Sequence, residues 1–363
     1  MDKIKLIDIC NPKQWKTIAT SQLLDDGKFP VYGANGIIGY YNEFNHEDTT
    51  VLITCRGATC GNVHISIPKS YINGNAMALD NLNEKLCLKE YLYYFLNYYD
   101  MTKIISGSAQ PQITIQGLKK IYVKVYSIEE QKNIIKILNK IKKVIDLKEK
   151  QVTNLDNIIK SQFVEMFGDP VLNEKQWRKV PLGTECNIIT GNTPSRNKKE
   201  YYGDFIEWIK SDNINTPSNY ITQAEEYLSE EGESVGRTIN ENSILMTCIA
   251  GSISCIGNVA MTDRKVAFNQ QINGIETLKN NTIFMYMQFL LSKQYIQSTI
   301  NMSLKGILSK GKLSEMEFIF PPIELQEQFA QKFQQIDKQK FEIENSLKEM
   351  QKLYESLMEK YFG

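Results

Sequence analysis

IEEQKNIIKILNKIKKVIDLKEKQVTNLDNIIKSQFVEMF, residues 128–167, decides the fold, because the chain carries its pattern twice. Ile134, Leu138, Ile141, Ile145, Lys148, Val152, Leu155, Ile159, Gln162 and Met166 follow one another in alternating steps of four and three. Adding 195 to each number gives Phe329, Phe333, Ile336, Lys340, Ile343, Leu347, Met350, Tyr354, Leu357 and Tyr361, with no break in register. A mean step of about 3.5 residues is the seam of a coiled coil. A core helix of an ordinary domain shows a similar face, but the gapless repeat favours two helices that pack on each other. Lys148 and Lys340 interrupt the two seams at non-equivalent positions. A Lys in a seam lowers stability and fixes partner and register. A helix of this length spans about 60 Å at about 1.5 Å per residue.

The ends of the repeat agree with helix chemistry. Ser127 with Glu130 three residues on forms a capping box at the first start. Gly168 with Pro170 behind it marks the first end. Pro321-Pro322 enforce an extended approach to the second helix, and Gly363 is the counterpart of Gly168 at the same offset. The segments before each helix are also related. Val51-Leu52-Ile53-Thr54-Cys55, a buried strand by its β-branched run, matches Ile244-Leu245-Met246-Thr247-Cys248. Gly61-Asn62-Val63 matches Gly257-Asn258-Val259, and Asn62–Ile67 reads as a strand. Phe29 to Gly36 reads as a short strand broken by glycines, Glu90 to Asp100 as an aromatic helix, and Leu118 to Val125 as a strand. The order is mixed domain, helix, mixed domain, helix. The expected fold is α+β, with two pseudo-repeated mixed α/β domains (1–126 and 170–320) separated by two long antiparallel coiled-coil helices (127–169 and 321–363). A second helix packed along the first must run back towards the first domain. That makes a two-fold-like object from one chain.

Composition narrows the function class. Lys and Arg number 42 against 42 Asp and Glu, so the formal net charge is zero and the chain lacks an overall basic signature. No apolar run is long enough to span a bilayer, and MDKIKLIDIC carries no secretory core, so a cytoplasmic chain is expected. Seven Cys with no Cys-x-x-Cys pair, and only His46 and His64, argue against zinc and for small buried thiols. The sequence has no Asn/Asp-Pro-Pro-Tyr/Phe methyltransferase signature and no Gly-x-Gly-x-x-Gly loop. Gly306 to Lys312 has P-loop spacing, but Leu313 stands where the magnesium-binding Ser or Thr belongs and a strand follows.

The distribution of charge says more than its sum. No acid lies between Asp100 and Glu129, where Lys103, Lys119, Lys120 and Lys124 occur. No acid lies between Glu276 and Glu315, where Lys279, Lys293, Lys305, Lys310 and Lys312 occur. The two windows overlap at the offset of 195 and suit contact with phosphates and base edges. Ser108, Gln110 and Gln112 form a polar loop whose amides have the fork that reads adenine. Lys305 and Lys310 have the reach for guanine or phosphate, with Lys312 beside them. Thr193, Ser195, Arg196, Lys198 and Lys199 lie in a turn with a basic run, followed by Lys210 and Ser211. Arg56 and Asn62 flank the first glycine turn. The aromatics from Tyr91 to Tyr99 stand at helical spacing and belong to the core rather than to base stacking.

The strings Thr190-Gly191-Asn192-Thr193-Pro194-Ser195, Tyr201-Tyr202-Gly203, Trp208-Ile209-Lys210-Ser211, Pro321-Pro322-Ile323-Glu324-Leu325-Gln326 and Met166-Phe167-Gly168-Asp169-Pro170, set in this repeat, resemble the DNA-specificity (S) subunit of Type I restriction-modification systems. The resemblance covers essentially the whole chain. It implies a non-catalytic subunit whose two target-recognition domains each read half of a gapped site in double-stranded DNA. The helices would act as spacer and as docking surface for two modification (methyltransferase) subunits, with restriction (nuclease/translocase) subunits joining that core. S-adenosylmethionine, ATP and magnesium would belong to those partners, with no cofactor or metal in this chain. The first copy lacks the Thr-Pro-Ser and Trp-Ile-Lys-Ser strings, which leaves its reading loop open. Two other readings share the same helices: a coiled-coil interaction scaffold without a DNA role, and the recognition subunit of another restriction class.

One expectation follows from the two windows. Lys305→Ala with Lys310→Ala should weaken binding only to the half-site read by the second domain. Gln110→Ala with Gln112→Ala should affect only the other half-site. Binding to duplexes with one half-site scrambled separates the two, and a shift of the same half-site by both pairs would refute the assignment.

Overall fold

In a computed structural model that describes residues 2–34, 36–107, 110–300 and 306–363, each periodic stretch is one uninterrupted helix. The first part of the chain runs β1 (Asp2–Lys5), α1 (Leu6–Ile9), β2 (Asn11–Gln14), β3 (Phe29–Gly33), β4 (Gly36–Tyr41), β5 (Val51–Thr54), β6 (Val63–Ile65), β7 (Tyr71–Ile72), β8 (Ala76–Asp80), α2 (Lys89–Tyr98), α3 (Ile115–Leu118) and β9 (Tyr122–Val125), then the long helix α4 (Ile128–Phe167). The second runs β10 (Lys179–Pro181), β11 (Cys186–Thr190), β12 (Tyr202–Gly203), β13 (Ile206–Ile209), β14 (Tyr227–Leu228), α5 (Glu230–Val235), β15 (Thr238–Ile239), β16 (Ile244–Thr247), β17 (Val259–Met261), β18 (Val266–Phe268), β19 (Ile272–Thr277), α6 (Thr282–Leu291), α7 (Lys293–Ser298), α8 (Lys310–Glu315), β20 (Glu317–Ile319) and the long helix α9 (Ile323–Phe362). By contacts the chain forms two units, residues 1–149 with 344–363 and residues 150–343, so each unit includes half of each long helix.

The caps read from sequence are present. Ser127 N donates to Glu130 Oε2 at 3.0 Å, and Glu130 N donates to Ser127 Oγ at 3.3 Å. Gly168 takes φ +76°, the left-handed conformation that ends a helix at glycine, and its N–H reaches Val164 O at 2.8 Å. Gly363 N makes the same bond to Glu359 O at 2.8 Å. Between residues 141 and 155 of α4, each side chain that is not exposed lies on the seam: Ile141, Ile145, Lys148, Val152 and Leu155 are half-buried. On α9, Phe329 and Phe333 are buried, and Ile336, Leu347 and Met350 are half-buried.

Within the first unit, Ile134 and Leu138 of α4 enter one core with Met358 and Phe362 of α9. Within the second, Asp156 meets Lys340 and Gln162 meets Lys332. In the second unit the numbers rise on one helix as they fall on the other, so the paired segments there run antiparallel. Phe163 stacks on Phe284 of α6 at 5.4 Å between ring centroids and meets Phe329 of α9 edge-on at 5.3 Å. Aromatic pairs of this kind add about 0.5–1.5 kcal/mol beyond their buried area.

Each unit contains an antiparallel four-stranded sheet of the same topology. Its order is β2-β8-β5-β6 in the first and β11-β19-β16-β17 in the second. A two-stranded ladder, β1-β9 or β10-β20, lies just before each long helix. The second sheets differ: β4-β3-β7 against β12-β14-β13-β18-β15. Each nevertheless has one parallel pair, Val31–Tyr71 in β3-β7 and Trp208–Ala267 in β13-β18. Asn73 N donates to Tyr32 O at 2.9 Å, and Asn269 N donates to Ile209 O at 3.0 Å. Phe29–Gly33 therefore occupies the place of Ile206–Lys210. The first domain has the structural counterpart of Trp-Ile-Lys-Ser without its sequence.

Two readings are corrected. The strand expected from Leu118 starts only at Tyr122, because Thr114 Oγ1 accepts from Gly117 N at 3.2 Å and caps a helical turn over Ile115–Leu118. Phe29 to Gly36 is not one broken strand: β3 folds back on β4, with Gly36 at φ +78°.

Lys340 is 5% exposed and its ammonium meets Asp156 Oδ1 at 2.7 Å. A buried pair gains little net stability, but removing the carboxylate takes a partner from a buried ammonium, whereas removing the ammonium leaves a carboxylate that water still reaches. Asp156→Ala should lower unfolding stability by about 1–3 kcal/mol, below the ~3–5 kcal/mol of a fully buried pair because the carboxylate is 38% exposed. Lys340→Met should leave stability unchanged or raised. Thermal melting of the two variants checks this, and equal losses in both would refute it.

Candidate nucleic-acid interface

In the second domain three segments converge at one end of the strands: residues 191–195 after β11, Lys210-Ser211 after β13, and Asn269-Gln270-Gln271 between β18 and β19. Gly191 N donates to Ile272 O at 3.0 Å and Asn192 N to Phe268 O at 3.1 Å. A Cβ at position 191 would lie 2.1 Å from Asn269 O, so only glycine permits this approach. Thr193 Oγ1 donates to Gln270 Oε1. Ser211 Oγ and Asn269 Nδ2 reach Gln271 Oε1 at 3.5 and 3.3 Å. Among the described residues, neither Gln270 Nε2 nor Gln271 Nε2 donates to a protein acceptor. The carbonyl oxygens of the two side chains are held from behind while their donors remain available. Such amides can read a base edge.

The amide segment is tied to the acid-free window through Cys248 and Ile249. Cys248 N donates to Gln271 O at 2.7 Å, and Cys248 O accepts from Leu308 N at 2.9 Å. Ile249 then bridges Ile307. The first domain repeats the arrangement. Cys55 N donates to Asn75 O at 3.0 Å, Cys55 O accepts from Ile113 N at 3.0 Å, and Arg56 bridges Gln112. Both thiols are buried, which pushes Cys248 up to about 12 and raises Cys55. They act as small apolar groups rather than nucleophiles.

In the first domain Arg56, Asn62, Gln110 and Gln112 are exposed and gather at the end of β5. Gln112 and Ser106 exchange backbone bonds of 2.8 and 2.9 Å, which close the loop carrying Gln110. Gly107, at φ +88°, lets that loop turn: a Cβ there would stand 2.4 Å from Gln110 O. Thr54 N donates to Asn62 O at 2.8 Å, with Thr247 and Asn258 as the counterpart at 2.9 Å. Lys119 lies apart, exposed after α3. Ser108 and Lys305 fall outside the described residues.

In the second domain Ser195, Lys198 and Lys199 are exposed beside the Thr193 contact, and Lys198 Nζ donates to Tyr201 Oη at 3.1 Å. Lys310 is exposed on the first turn of α8, two residues from the Leu308 bond to Cys248. Lys312 is half-buried, with its N–H on the capping Ser309 hydroxyl. Arg196 and Lys210 are not free cations. Both pair with Glu226, whose carboxyl is held below its usual range, first by Lys210 and then by Arg196. Sequence reading missed Glu226, Asn269, Gln270 and Gln271. The run of three amides at 269–271 was a usable signal, whereas nothing near Glu226 announced its partners.

The sequence profile described as "Type I restriction modification DNA specificity domain" matches residues 1–157 and 174–351, once in each half. The chain belongs to that family. It is 23% identical to the MjaX type I restriction enzyme specificity subunit of Methanocaldococcus jannaschii over 318 residues, 79% of this chain and 72% of that one. It is 37% identical over 101 residues to the HindI specificity subunit of Haemophilus influenzae, covering 27% of this chain and 21% of that protein. Among solved structures, the S subunit of a type I system from M. genitalium superposes over 100% of this chain and 96% of its own, with a TM-score of 0.69 at 14% identity. That likeness is one of fold. The two profile matches reach into the long helices, as do the two units.

Proposed function

We propose that this chain is the non-catalytic subunit that gives a type I restriction-modification complex its target, reading a bipartite, gapped site in double-stranded DNA. The observation that carries this is the duplicated frame. Cys55 and Cys248 each stitch a polar turn and an acid-free loop to the end of a four-stranded sheet. One chain thus presents two equivalent reading surfaces with different side chains, Arg56 and Gln112 on one and Ile249 and Ile307 on the other. Equivalent frames with unlike contents suit two half-sites of unlike sequence.

The long helices separate the surfaces along the chain and offer docking faces. Ile137 and Leu147 of α4 are 38% and 51% exposed away from the seam, and Phe341 of α9 is 62% exposed. Modification subunits are the proposed occupants, with restriction subunits joining them. S-adenosylmethionine, ATP and magnesium then belong to the partners. Among the described residues no helix is long and apolar enough to cross a membrane, and the proposed place of action is the cytoplasm.

Methylome sequencing of a strain expressing the chain with its modification subunits should show one gapped motif that disappears when this chain is deleted. Removing matched heptads from both long helices should shorten the gap and leave the half-sites unchanged. A methylome without such a motif would refute the function, and an unchanged gap would reduce the helices to plain scaffold.

A further inference from the structure

Arg196 is held on three sides. Its guanidinium lies 4.5 Å from the ring centroid of Tyr202 and 4.9 Å from that of Trp208. Its Nη2 meets Glu226 Oε2 at 2.7 Å. Lys210 Nζ binds the other oxygen of the same carboxylate and lies 5.5 Å from the Trp208 ring. The support is itself fixed. Trp208 N donates to Glu226 O at 2.9 Å, Trp208 Nε1 to Asn192 O at 3.3 Å, and Tyr202 Oη to Pro194 O at 2.6 Å. The same loop carries Thr193, which holds Gln270. This assembly therefore borders the amide cluster. It is open to solvent, with side-chain exposures of 53% for Arg196, 36% for Glu226 and 33% for Lys210.

A guanidinium has five N–H donors in a rigid planar fork. Here two aromatic rings and a carboxylate hold it at three points, so its position is restrained before any ligand arrives. A loose arginine can settle on any phosphate, a contact that carries no sequence information. An oriented one discriminates, because guanine alone offers the O6/N7 acceptor pair to a planar fork. The carboxylate also neutralises one of two adjacent cations, which weakens attraction to DNA of the wrong sequence.

Resting on the DNA-reading role proposed above, we infer that Glu226 is a specificity-determining positioning residue: it presents Arg196 to a guanine of the half-site read by the second domain and suppresses sequence-independent phosphate binding by Arg196 and Lys210. The test uses the complex with modification subunits and fluorescence anisotropy on three kinds of duplex: the methylated motif, a scrambled sequence, and the motif with each base of the half-site replaced in turn.

Glu226→Gln should bind the scrambled duplex more tightly, with a salt slope steeper by about 1–2. Its preference for the motif should fall roughly tenfold or more, with the loss concentrated at one guanine. Arg196→Lys keeps the charge and loses the fork, so it should lose the same discrimination at the same guanine. Glu226→Asp should restore part of it. If Glu226→Gln changes motif and scrambled affinities by one common factor, Glu226 only tunes charge and the inference falls. If Arg196→Lys discriminates at every position as the parent does, Arg196 is a phosphate contact and the inference falls. If the parent complex shows no preference for any sequence, the reading role itself is lost and the inference with it.

Discussion

One residue in each domain uses both of its backbone hydrogen-bonding groups to hold the candidate interface together. Cys248 donates to Gln271 O and accepts from Leu308 N, and Cys55 donates to Asn75 O and accepts from Ile113 N. Both positions are buried, where an unmade backbone bond costs about 1–3 kcal/mol. The two loops are thereby locked to the sheet whatever their side chains are. A thiol suits the place because it is small, tolerates burial and needs no strong partner. The next residue is free to differ. Arg56 and Ile249 occupy the same bridge position in the two domains with unlike chemistry. A frame built from main-chain bonds leaves side chains available for discrimination, and a protein that must read two different half-sites needs such a division of labour.

The long helices were legible from residue order because their information is local. A step of four and three repeated along forty residues has one reading, and the offset of 195 supplies an internal control. Ser127, Glu130 and Gly168 act on neighbours within four residues, so their roles were legible too. The kinship of the two domains was visible where strands matched, at Val51–Cys55 and Ile244–Cys248. It was invisible at Phe29–Gly33 and Ile206–Lys210. There only the parallel pairing and the Asn73 and Asn269 bonds are shared, and main-chain bonds leave no mark on side-chain identity. The Glu226 contacts were beyond reach for another reason. The carboxylate joins Arg196 and Lys210, 30 and 16 residues away, and its sequence neighbour Glu225 makes it look like part of an ordinary solvated acidic turn.

The two seam lysines show how position decides the meaning of a residue. Lys148 is half-buried, whereas Lys340 is 5% exposed and carries a carboxylate partner. The periodic pattern alone treats them alike. Long apolar seams tolerate alternative registers, because a slip of seven residues preserves most contacts. A buried ammonium paired with Asp156 disfavours such a slip, since the slipped helix would part the two charges. The pair therefore acts on register more than on stability, within the unit that contains the second domain.

The zero net charge takes on a physical sense once the ion pairs are placed. In the second domain Arg178 pairs with Glu185, Arg264 with Glu207, Lys265 with Glu233, and Arg196 and Lys210 with Glu226. Most of these cations are neutralised within the protein, so their pull on a phosphate backbone is weak. The residues facing the candidate interface without a carboxylate are amides, hydroxyls, Arg56, Lys198, Lys199 and the lysines of the acid-free windows. Sequence-independent DNA binding grows with released counterions, whereas discrimination grows with directed hydrogen bonds. A surface that ties Arg196 and Lys210 into an internal pair and exposes glutamine amides gives up affinity for DNA in general and keeps the ability to tell one sequence from another. Such a chain would gain from partners that supply the phosphate contacts, and the exposed apolar side chains on its long helices are the place proposed for them to bind.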